Sequence, residues 1–553
     1  MKLAKLVESL EQVEATQASL EKIEILSELY SSSDEDLEDV VMLSLGRISP
    51  AWEDLDLGVS SKTLVKVISK ASGRKEREVE QVWKEEGDLG DAAEEMIEKK
   101  TQQRLMTREL HVEDVMDKLR KVAEMEKDGI SQSVDQDKKQ KMLADLISSA
   151  EPKDARYLAR MMLENLRIGI GEGTVRDALD RAFLEGEHSE EIQRAYDYSN
   201  DFRKVASASR EGLEEVNSID LQLYRPVKSM LAKKVETIED GFEAVEEPAA
   251  VDTKYDGLRA QIHVKDGEAK IFTRRLENVT KQFPDVKKYV EEHLDAENCI
   301  IDSEIIGVKD GEVIPFQRLS KRIKRKYEIE RLRKEIPVKV RPFDILYNEE
   351  SLMNMPYEER WKELEAIIEE NDDVRLVDRV VTSEESEVNR VQQEALEAGH
   401  EGVMMKALEA PYKPGSRVGY MVKLKPVMET LDLAVIGAQW SEGRKSGWLG
   451  RLKLGCWNQK TEGYEMVGRM SSGLTDEQLE EITERLKPLI ESENGRDVKL
   501  RPEVILEVEY EEIQESPTYS SGYALRFPRL KQFRDDKENA DSKEKLEGLF
   551  EGQ

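Results

Sequence analysis

The stretch VDTKYDGLRAQIHV, residues 251–264, shows how the middle of the chain is built. A short apolar segment ends at Lys254, a turn glycine follows at Gly257, and RAQIHV then alternates apolar and polar side chains. Alternation with a period of two predicts a β-strand with one buried face. These residues alone leave two interpretations of Lys254, a charge at the end of a strand or a nucleophile.

Three patterns of apolar residues divide the chain. Residues 1 to about 218 space their apolar side chains by three and four positions, which predicts helices. From Val227 to about Lys425, β-branched runs such as NCIIDSEIIGV are mixed with helical segments. From about residue 426 strands dominate, with one helix in LTDEQLEEITERLKPLIE and a polar tail that is expected to fray. We therefore predict an all-α domain at 1–218, an α+β domain at 219–425 and a C-terminal β-barrel of the oligonucleotide-binding type (OB-fold) at 426–553.

Length and composition narrow the class of protein. A chain of 553 residues is too long for one hydrophobic core, so it should be multidomain. It shows no apolar run of bilayer length and no signal-peptide core, and we expect a soluble, cytoplasmic protein without a membrane partner. Cys299 and Cys456 are the only cysteines, which excludes a disulfide framework and a four-cysteine zinc site.

The formal net charge of −33 argues against a protein that coats nucleic acid with a generally basic surface. It leaves room for a local basic groove, because acidic residues can be segregated on other faces. A salt-adapted cytosol and an ordinary acidic protein explain this charge about equally well.

Charged residues end or interrupt the predicted strands at several further places. They are Arg274, Glu304, Asp344, Glu401, Lys406, Lys423 and Lys425. A polar side chain inside an apolar run is costly to bury unless it has a partner or a function. Alternate residues of a strand share a face, so Lys423 and Lys425 should point the same way. Taken singly, each is more simply explained as a salt bridge, and Lys-x-Asp-Gly alone is a weak motif.

The order of these segments is more specific than any one of them. Lys-Tyr-Asp-Gly-x-Arg is followed by Arg-Arg-Leu-Glu-Asn, Asp-Ser-Glu-Ile, Pro-Phe-Asp-Ile-Leu, Glu-Gly-Val-Met-x-Lys and Lys-Leu-Lys. This series resembles the motifs of the covalent nucleotidyltransferases, and it is most similar to ATP-dependent DNA ligases of the archaeal and eukaryotic replicative type. The stretches 163–179, 225–232 and 509–537 extend the resemblance over nearly the whole chain. It implies a helical DNA-binding domain, a nucleotidyltransferase (adenylation) domain and an OB-fold that together seal nicks in duplex DNA during replication, repair and recombination.

The resemblance also implies a role for each matching residue. Lys254 would be the nucleophile that takes AMP from ATP. ATP and AMP would be bound by Asp252, Arg259, Arg274, Glu304, Phe343, Arg417, Lys423 and Lys425, with Phe343 stacked on adenine. Glu304 and Glu401 would hold Mg²⁺, or Mn²⁺ in its place, and Arg534 and Lys537 would orient pyrophosphate in the first step only. At position 252 the group frequently has a glutamate that accepts a hydrogen bond from the adenine amino group, whereas this chain has Asp252. A shorter carboxylate could still accept that hydrogen bond.

Elementary chemistry agrees with a nucleophilic lysine. Joining a nick requires a good leaving group on the 5′-phosphate, and AMP provides one. A lysine amine is normally protonated near neutral pH, so it needs neighbouring positive charge, which Arg259, Lys423, Lys425 and Mg²⁺ could supply. The same cations would neutralise the charge that develops on the phosphate oxygens.

Within LRIGIGEGT the resemblance implies DNA binding by Arg167, Gly169, Gly171, Gly173 and Thr174. Glycines allow the backbone to approach closely, so N–H groups at a helix start could meet DNA phosphates. A plain turn between two helices explains these residues about as well. The basic run KRIKRK, residues 321–326, is a second candidate for the DNA face or else a solvated helix.

The expected partner is nicked double-stranded DNA, bound by a monomer that encircles it. Segment 99–110 lies where similar ligases carry a loop that docks on the sliding clamp. Gln102 or Gln103 with Leu105 and Met106 would form a degenerate version of that loop, because the usual aromatic anchors are absent.

Three other functions remain open at this point. An RNA ligase or an mRNA capping enzyme would share the chemistry of Lys254 but would not explain a helical domain of this size. An NAD-dependent ligase would need the four-cysteine zinc module that two cysteines cannot build. A DNA-binding scaffold without activity should have lost its nucleophile or metal residues, and the chain retains both sets.

Overall fold

The computed structural model describes residues 1–53, 55–100, 109–127, 133–323, 328–425, 429–441, 445, 447–471 and 473–551. The chain divides into two compact units. One comprises Met1–Arg74 and Ala93–Pro426, and the other comprises Lys75–Ala92 and Val427–Gln553. Within the described ranges, no helix combines the length and the apolar character needed to cross a membrane.

The first 218 residues form helices, as their apolar spacing predicts. The helices are α1 Leu3–Ala15, α2 Ser19–Ser31, α3 Leu37–Ser44, α4 Ser61–Ser72, α5 Glu76–Glu86, α6 Leu89–Glu98, α7 Val112–Lys127, α8 Ser133–Ser149, α9 Pro152–Met162, α10 Glu172–Phe183, α11 Ser189–Ser199, α12 Phe202–Glu211 and α13 Leu213–Ser218. In α4 the Ser60 side chain accepts a hydrogen bond from the Thr63 N–H, and Gly73 ends the helix with φ of 75°. Local sequence therefore sets both ends of this helix.

Two sheets and their covering helices form the middle region. The strands are β1 Leu231–Val235, β2 Ala249–Lys254, β3 Leu258–Lys265, β4 Glu268–Thr273, β5 Cys299–Lys309, β6 Glu312–Ile314, β7 Val338–Asn348, β8 Glu350–Ser351, β9 Arg379–Thr382, β10 Gly402–Ala407 and β11 Arg417–Leu424; the helices are α14 Ile238–Val245, α15 Pro284–His293, α16 Phe316–Ile323, α17 Ile329–Glu335, α18 Tyr357–Ile367 and α19 Glu385–Glu397. One sheet has the order β1-β11-β10-β2-β9, and the other has the order β4-β3-β5-β7-β8 with β6 on β5. Strands β2 and β3 are consecutive in sequence but belong to different sheets. The segment that joins them begins at Lys254 and carries the chain from one sheet to the other.

The C-terminal region is rich in strands. They are β12 Leu431–Trp440, β13 Leu449–Asn458, β14 Gly463–Met470, β15 Ile490–Asn494, β16 Asp497–Leu500, β17 Ile505–Glu509, β18 Glu512–Glu515, β19 Tyr523–Arg526 and β20 Arg529–Phe533, with helices α20 Asp476–Leu486 and α21 Lys543–Glu551. Strand β12 pairs with β13 along one edge and with β16 and β17 along the other. The predicted fold class, with an all-helical region, an α+β region and a strand-rich C-terminal region in that order, is confirmed.

The prediction of a frayed C-terminal tail is wrong for the described residues. Helix α21 forms there, with Leu546 fully buried and Leu549 and Phe550 packed against the core of the strand-rich region. These three positions are spaced by three and four residues, so one turn of helix presents an apolar stripe. The polar residues around the stripe obscured it in the sequence.

Strand β3 is confirmed, but it is buried on both faces. The sequence alternation predicts a solvated polar face, whereas Gln261 and His263 are 4% and 0% exposed. Segment 224–227 covers this face, because the Tyr224 N–H donates to His263 Nδ1 (3.0 Å) and the Val227 N–H donates to Gln261 Oε1 (2.9 Å). Each polar side chain thus receives a backbone donor from another part of the chain.

His263 should make the protein sensitive to acid. Burial lowers the pKa of His263 from 6.5 to about 3. Between these two values the unfolded chain binds a proton that the folded protein does not, so the free energy of unfolding should fall as the pH decreases below 6.5, by about 1.4 kcal/mol per pH unit. We expect His263→Gln to flatten this dependence in denaturant titrations from pH 8 to 5.5. His188→Gln, at a partly exposed ring, is the matched control; an unchanged slope in His263→Gln would contradict the assignment.

Candidate active site

Lys254 is the last residue of β2, which lies between β10 and β9. Its Cα pairs with Gly402 of β10, and its carbonyl accepts the Glu401 N–H at 2.9 Å. The turn that follows is tight: a Cβ on Gly257 would lie 2.6 Å from the Ile305 carbonyl oxygen and 2.9 Å from Glu304 Cγ. The motif therefore needs glycine at 257 because β5 passes directly against the turn.

A shared carboxylate holds the Lys254 side chain. Glu401 Oε2 lies 2.5 Å from Lys254 Nζ and 2.5 Å from Lys425 Nζ. Burial acts to raise the pKa of Glu401, but the two ammonium groups outweigh it and lower the pKa to about 2. Glu401 therefore has two counter-ions, Lys254 and Lys425, beside the same oxygen.

The strand register places Lys423 of β11, and Lys425 one residue beyond that strand, on the same face as Lys254. Met404 of β10 pairs with Lys423 on one side and with Asp252 on the other, so Lys423 and Asp252 lie on one line across the sheet. Lys425 and Lys254 lie two residues further along their strands and share that face. Arg417 is at the opposite end of β11, six residues or about 20 Å from Lys423. The structure therefore separates Arg417 from this cluster.

Arg259 sits in a network that the sequence did not predict. Its guanidinium donates to Asp302 Oδ2 (2.8 Å), the Met230 carbonyl (2.9 Å) and the Tyr412 hydroxyl (3.4 Å), and Tyr412 also donates to Asp302 at 2.7 Å. Burial acts to lower the pKa of Arg259, but Asp302 outweighs it and the pKa is raised. Asp302 is a carboxylate inside an apolar strand, two residues before Glu304, and it shares with Glu304 the pattern of a charged residue in an apolar run.

Glu304 and Phe343 lie on the sheet of order β4-β3-β5-β7-β8, and Arg274 lies just beyond β4 of that sheet. Burial raises the pKa of Glu304 to about 8, against the opposing charges of Lys254 and Arg259. Phe343 has Arg259 Cζ 5.2 Å from its ring centroid and Lys406 Nζ at 5.0 Å, so residues of both sheets approach this ring. Arg274 is exposed just beyond β4, next to the Thr273–Ala260 pair and hence to Arg259.

Asp252 is enclosed by charged side chains. It is 2% exposed, and its Oδ2 lies 2.5 Å from Lys406 Nζ in an ion pair and accepts from the Tyr357 hydroxyl at 3.2 Å. Arg379 Nε is 4.0 Å from Oδ1, an oxygen without a hydrogen-bond partner among the described residues. The carboxylate is thus oriented by two neighbours that the sequence did not assign to it, and Oδ1 is its one free acceptor within the described part of the chain.

Two carboxylates near Lys254 could contribute to a cation site. The described residues contain no group of three or more histidine, cysteine, aspartate or glutamate side chains that could hold a metal by themselves. Glu304 and Glu401 nevertheless offer hard oxygen donors, and Glu401 Oε2 has no well-aligned hydrogen bond despite its two close ammonium neighbours. This donor set fits Mg²⁺ that is completed by water and phosphate oxygens, the usual environment of that ion.

The predicted DNA-binding segment joins α9 to α10. Arg167 and Gly169 have left-handed backbones, with φ of 59° and 68°, and both are exposed. Gly171 is the N-cap of α10, and Gly173 and Thr174 lie in its first turn. The segment is therefore a turn between helices whose exposed backbone leads into a helix start, and its role in DNA binding stays a prediction.

Glu172 of the same segment is neutralised by side chains from elsewhere. Its carboxylate accepts from Lys228 Nζ at 2.5 Å, the Tyr196 hydroxyl at 2.8 Å and Arg47 Nη1 at 3.0 Å. Lys228 belongs to the segment that leads into β1, so this cluster ties the helical region to the sheets.

The two other predicted interaction segments have different outcomes. Arg322 of the basic run is 1% exposed, pairs with Asp285 and donates to the Gln282 carbonyl at 3.0 Å. Its assignment to a DNA face is wrong, because a buried ion pair holds this arginine in place. Residues 324–326 of the run, and the whole predicted clamp-binding loop at 102–106, lie outside the described residues.

Arg534 and Lys537 share one carboxylate within the C-terminal unit. Arg534 Nη1 donates to Asp432 Oδ1 and Oδ2 at 3.0 and 3.1 Å, and Lys537 pairs with Oδ2 of the same residue. Asp432 is 5% exposed at the start of β12. The sequence did not predict Asp432, which lies about a hundred residues before the cations that it holds.

Three family models match the chain in succession. DNA ligase N terminus matches residues 2–180, ATP dependent DNA ligase domain matches 229–425, and ATP dependent DNA ligase C terminal region matches 445–537.

Proteins named DNA ligase match over the full length. The one from Methanopyrus kandleri is 41% identical and the one from Nanoarchaeum equitans is 38% identical, each over 100% of this chain and 99% of the relative. The protein from Archaeoglobus fulgidus is 39% identical over 99% of this chain and 96% of its own. A solved structure named Pmar-Lig_PreS3 superposes with a TM-score of 0.60 at 16% identity, covers 96% of this chain and 99% of its own, and shares the fold.

Proposed function

The chain belongs to the family of ATP-dependent DNA ligases, and from this premise we propose that Lys254 is the residue that carries AMP. The single observation that supports this best is the arrangement at the end of β2, where Lys254 and Lys425 share the Glu401 carboxylate on the sheet face that also carries Lys423 and Asp252. A nucleophile surrounded by cations suits attack on a phosphate whose charge increases during the reaction.

In the first step the neutral Lys254 amine attacks the α-phosphorus of ATP. An N–P bond forms, the bond to the bridging oxygen breaks, and pyrophosphate leaves with that electron pair while the amine loses its proton. The 5′-phosphate of the nick then displaces the lysine and takes the AMP. Attack by the 3′-hydroxyl on this activated phosphate seals the strand and releases AMP.

We assign the neighbouring residues by their positions. Phe343 would stack on adenine, and Asp252 would accept from its amino group through Oδ1. The phosphates and the ribose would be held by Arg259, Arg274, Glu304, Lys423 and Lys425. Arg417, at the far end of β11, suits contact with a more distant phosphate of the nucleotide or of DNA.

Mg²⁺, with Mn²⁺ as an alternative, would be held by Glu304 and Glu401. When bound, the ion would supply positive charge that neutralises the phosphate oxygens. Arg259, Lys423 and Lys425 would add further positive charge around the attacking amine and the phosphate oxygens.

The direct test is incubation with α-labelled ATP and Mg²⁺. We expect label that stays on the denatured protein, and sealing of a nicked DNA duplex with ATP but not with NAD. Absence of covalent label would refute a lysyl-AMP mechanism. Sealing of nicked RNA in preference to nicked DNA would favour the RNA ligase alternative.

Arg534→Ala should separate the steps of the reaction. Arg534 is assigned to pyrophosphate, which takes part only in the formation of lysyl-AMP, so this step should slow by at least about a hundred-fold. Sealing of a nick that already carries AMP on its 5′-phosphate should keep the rate of the unmodified protein. Single-turnover assays of both steps provide the measurement, with exposed Arg501→Ala as the control; equal slowing of both steps would contradict the role.

DNA would be bound through Arg167, Gly169, Gly171, Gly173 and Thr174, whose exposed turn and helix start suit contact with phosphates. We further propose that the ligase acts in the cytoplasm as a monomer around nicked duplex DNA, with domains at 1–218, 219–425 and 426–553.

Docking on a sliding clamp through 102–106 rests on the sequence pattern alone. Unchanged clamp affinity of the Leu105→Ala, Met106→Ala double variant would refute it.

A further inference from the structure

Lys22 of α2 is a buried cation beneath the DNA-binding segment. It is 8% exposed, and its ammonium donates to the Ile168 carbonyl at 2.6 Å and to the Gly169 carbonyl at 3.4 Å. Among the described residues, no carboxylate forms an ion pair with it. A buried ammonium without a counter-ion is costly, and carbonyl dipoles offset only part of that cost.

The two hydrogen bonds also orient the backbone. In a trans peptide group the C=O and the next N–H point in opposite directions. Because the Ile168 and Gly169 carbonyls turn inward to Lys22, the N–H groups of Gly169 and Ile170 turn outward. Neither N–H has an acceptor within the described part of the chain.

Gly169 is what lets the turn approach the ammonium. With φ of 68° it adopts a conformation that favours glycine, and a Cβ at this position would lie only 2.7 Å from Lys22 Nζ.

The site also has an excess of positive charge, which would attract an anion. The acidic residue of the segment, Glu172, is already paired with Lys228 and Arg47, which leaves the charge of Lys22 without an internal partner.

We propose that Lys22 is a positioning residue for DNA binding, and that the counter-charge missing from the protein is a phosphate of the nicked duplex. Lys22 holds the turn so that the N–H groups of Gly169 and Ile170 meet this phosphate, and its ammonium adds attraction from below. This inference rests on the proposed DNA-binding role of 167–174. It adds to this DNA-binding segment a residue of another helix, Lys22 of α2, whose side chain stays buried.

The test compares Lys22→Met, Lys22→Gln and Lys22→Arg with the unmodified chain. Affinity for a fluorescent nicked duplex is measured in EDTA at several KCl concentrations, and lysyl-AMP formation is measured without DNA. Lys153→Met is the control, because Lys153 is an exposed lysine of the same helical region, paired with Glu11.

We expect Lys22→Met and Lys22→Gln to bind the nicked duplex at least about tenfold more weakly. The slope of log affinity against log salt should decrease by about 0.9, the value of one lost phosphate contact. Lys22→Arg should recover most of both, and all three variants should form lysyl-AMP at the normal rate.

Two results would overturn the proposal. One is normal affinity and an unchanged salt slope in both neutral variants. The other is weaker binding with an unchanged slope and a lowered thermal midpoint, which would mean that Lys22 only supports the fold. Failure of the proposed function is recognised separately, because the unmodified protein would then form no lysyl-AMP or would not bind the nicked duplex.

Discussion

Lys254→Ala is expected to lose covalent labelling by α-labelled ATP, with a decrease of at least about a thousand-fold. The alanine side chain has no electron pair to attack the α-phosphorus, so the N–P bond cannot form. Lys254→Arg should lose as much, because a guanidinium keeps its proton and its positive charge but is not a nucleophile at neutral pH. The measurement is label retained on denatured protein after a timed incubation with Mg²⁺.

Two controls make this result specific to position 254. Lys309→Ala removes an exposed lysine from the same region and should label normally. Lys425 shares Glu401 with Lys254 and lies on the same face, so it is an alternative nucleophile. Label that persists in Lys254→Ala but disappears in Lys425→Ala would move the covalent bond to Lys425.

Arg360→Met should destabilise the protein by about 3–5 kcal/mol, the cost of leaving one partner of a buried ion pair alone. Arg360 and Asp344 have side chains 1% and 4% exposed, joined by hydrogen bonds of 2.8 and 3.0 Å. Arg360 also donates to the Met355 carbonyl at 2.6 Å and to the Ala410 carbonyl at 3.1 Å. Its removal leaves the Asp344 charge next to Phe343 without compensation.

Denaturant unfolding at constant pH measures the loss, and a double variant isolates its cause. Arg360→Met with Asp344→Leu removes both charges, and it should be more stable than Arg360→Met alone, because replacing a whole buried pair by apolar side chains is often nearly neutral. Arg390→Met, which breaks an exposed pair on α19, should cost less than about 1 kcal/mol. A cost in that small range for Arg360→Met would contradict the importance of the buried pair.

Patterns within short segments were predicted well. The strands and helices of the middle region follow from β-branched runs and apolar spacing, since a period of two or of three to four residues is a local property. The errors were of one kind. The polar face of β3, the C-terminal tail and Arg322 were expected to meet solvent, and in each case another segment or helix packs against them.

Much of the candidate site could also be named in advance. Lys254, Glu401, Lys423 and Lys425 stand in motifs whose order is specific, and the strand register places them on one face. The contacts that hold the site were missed. Tyr412 and Asp432 carry no distinctive local pattern. Asp302 and Lys406 stand in the quoted motifs, but their roles appear only in the contacts that they make.

By itself the sequence determined the family and the order of three regions, and it indicated the nucleophile that we propose, because these depend on residue types and spacing along the chain. The tertiary structure alone decided which groups orient that chemistry. Lys22 reaches Ile168 across 146 positions, and Arg259 reaches Tyr412 across 153. Such contacts form only when burial brings distant segments together, and a buried charge then needs a partner that the local sequence does not specify.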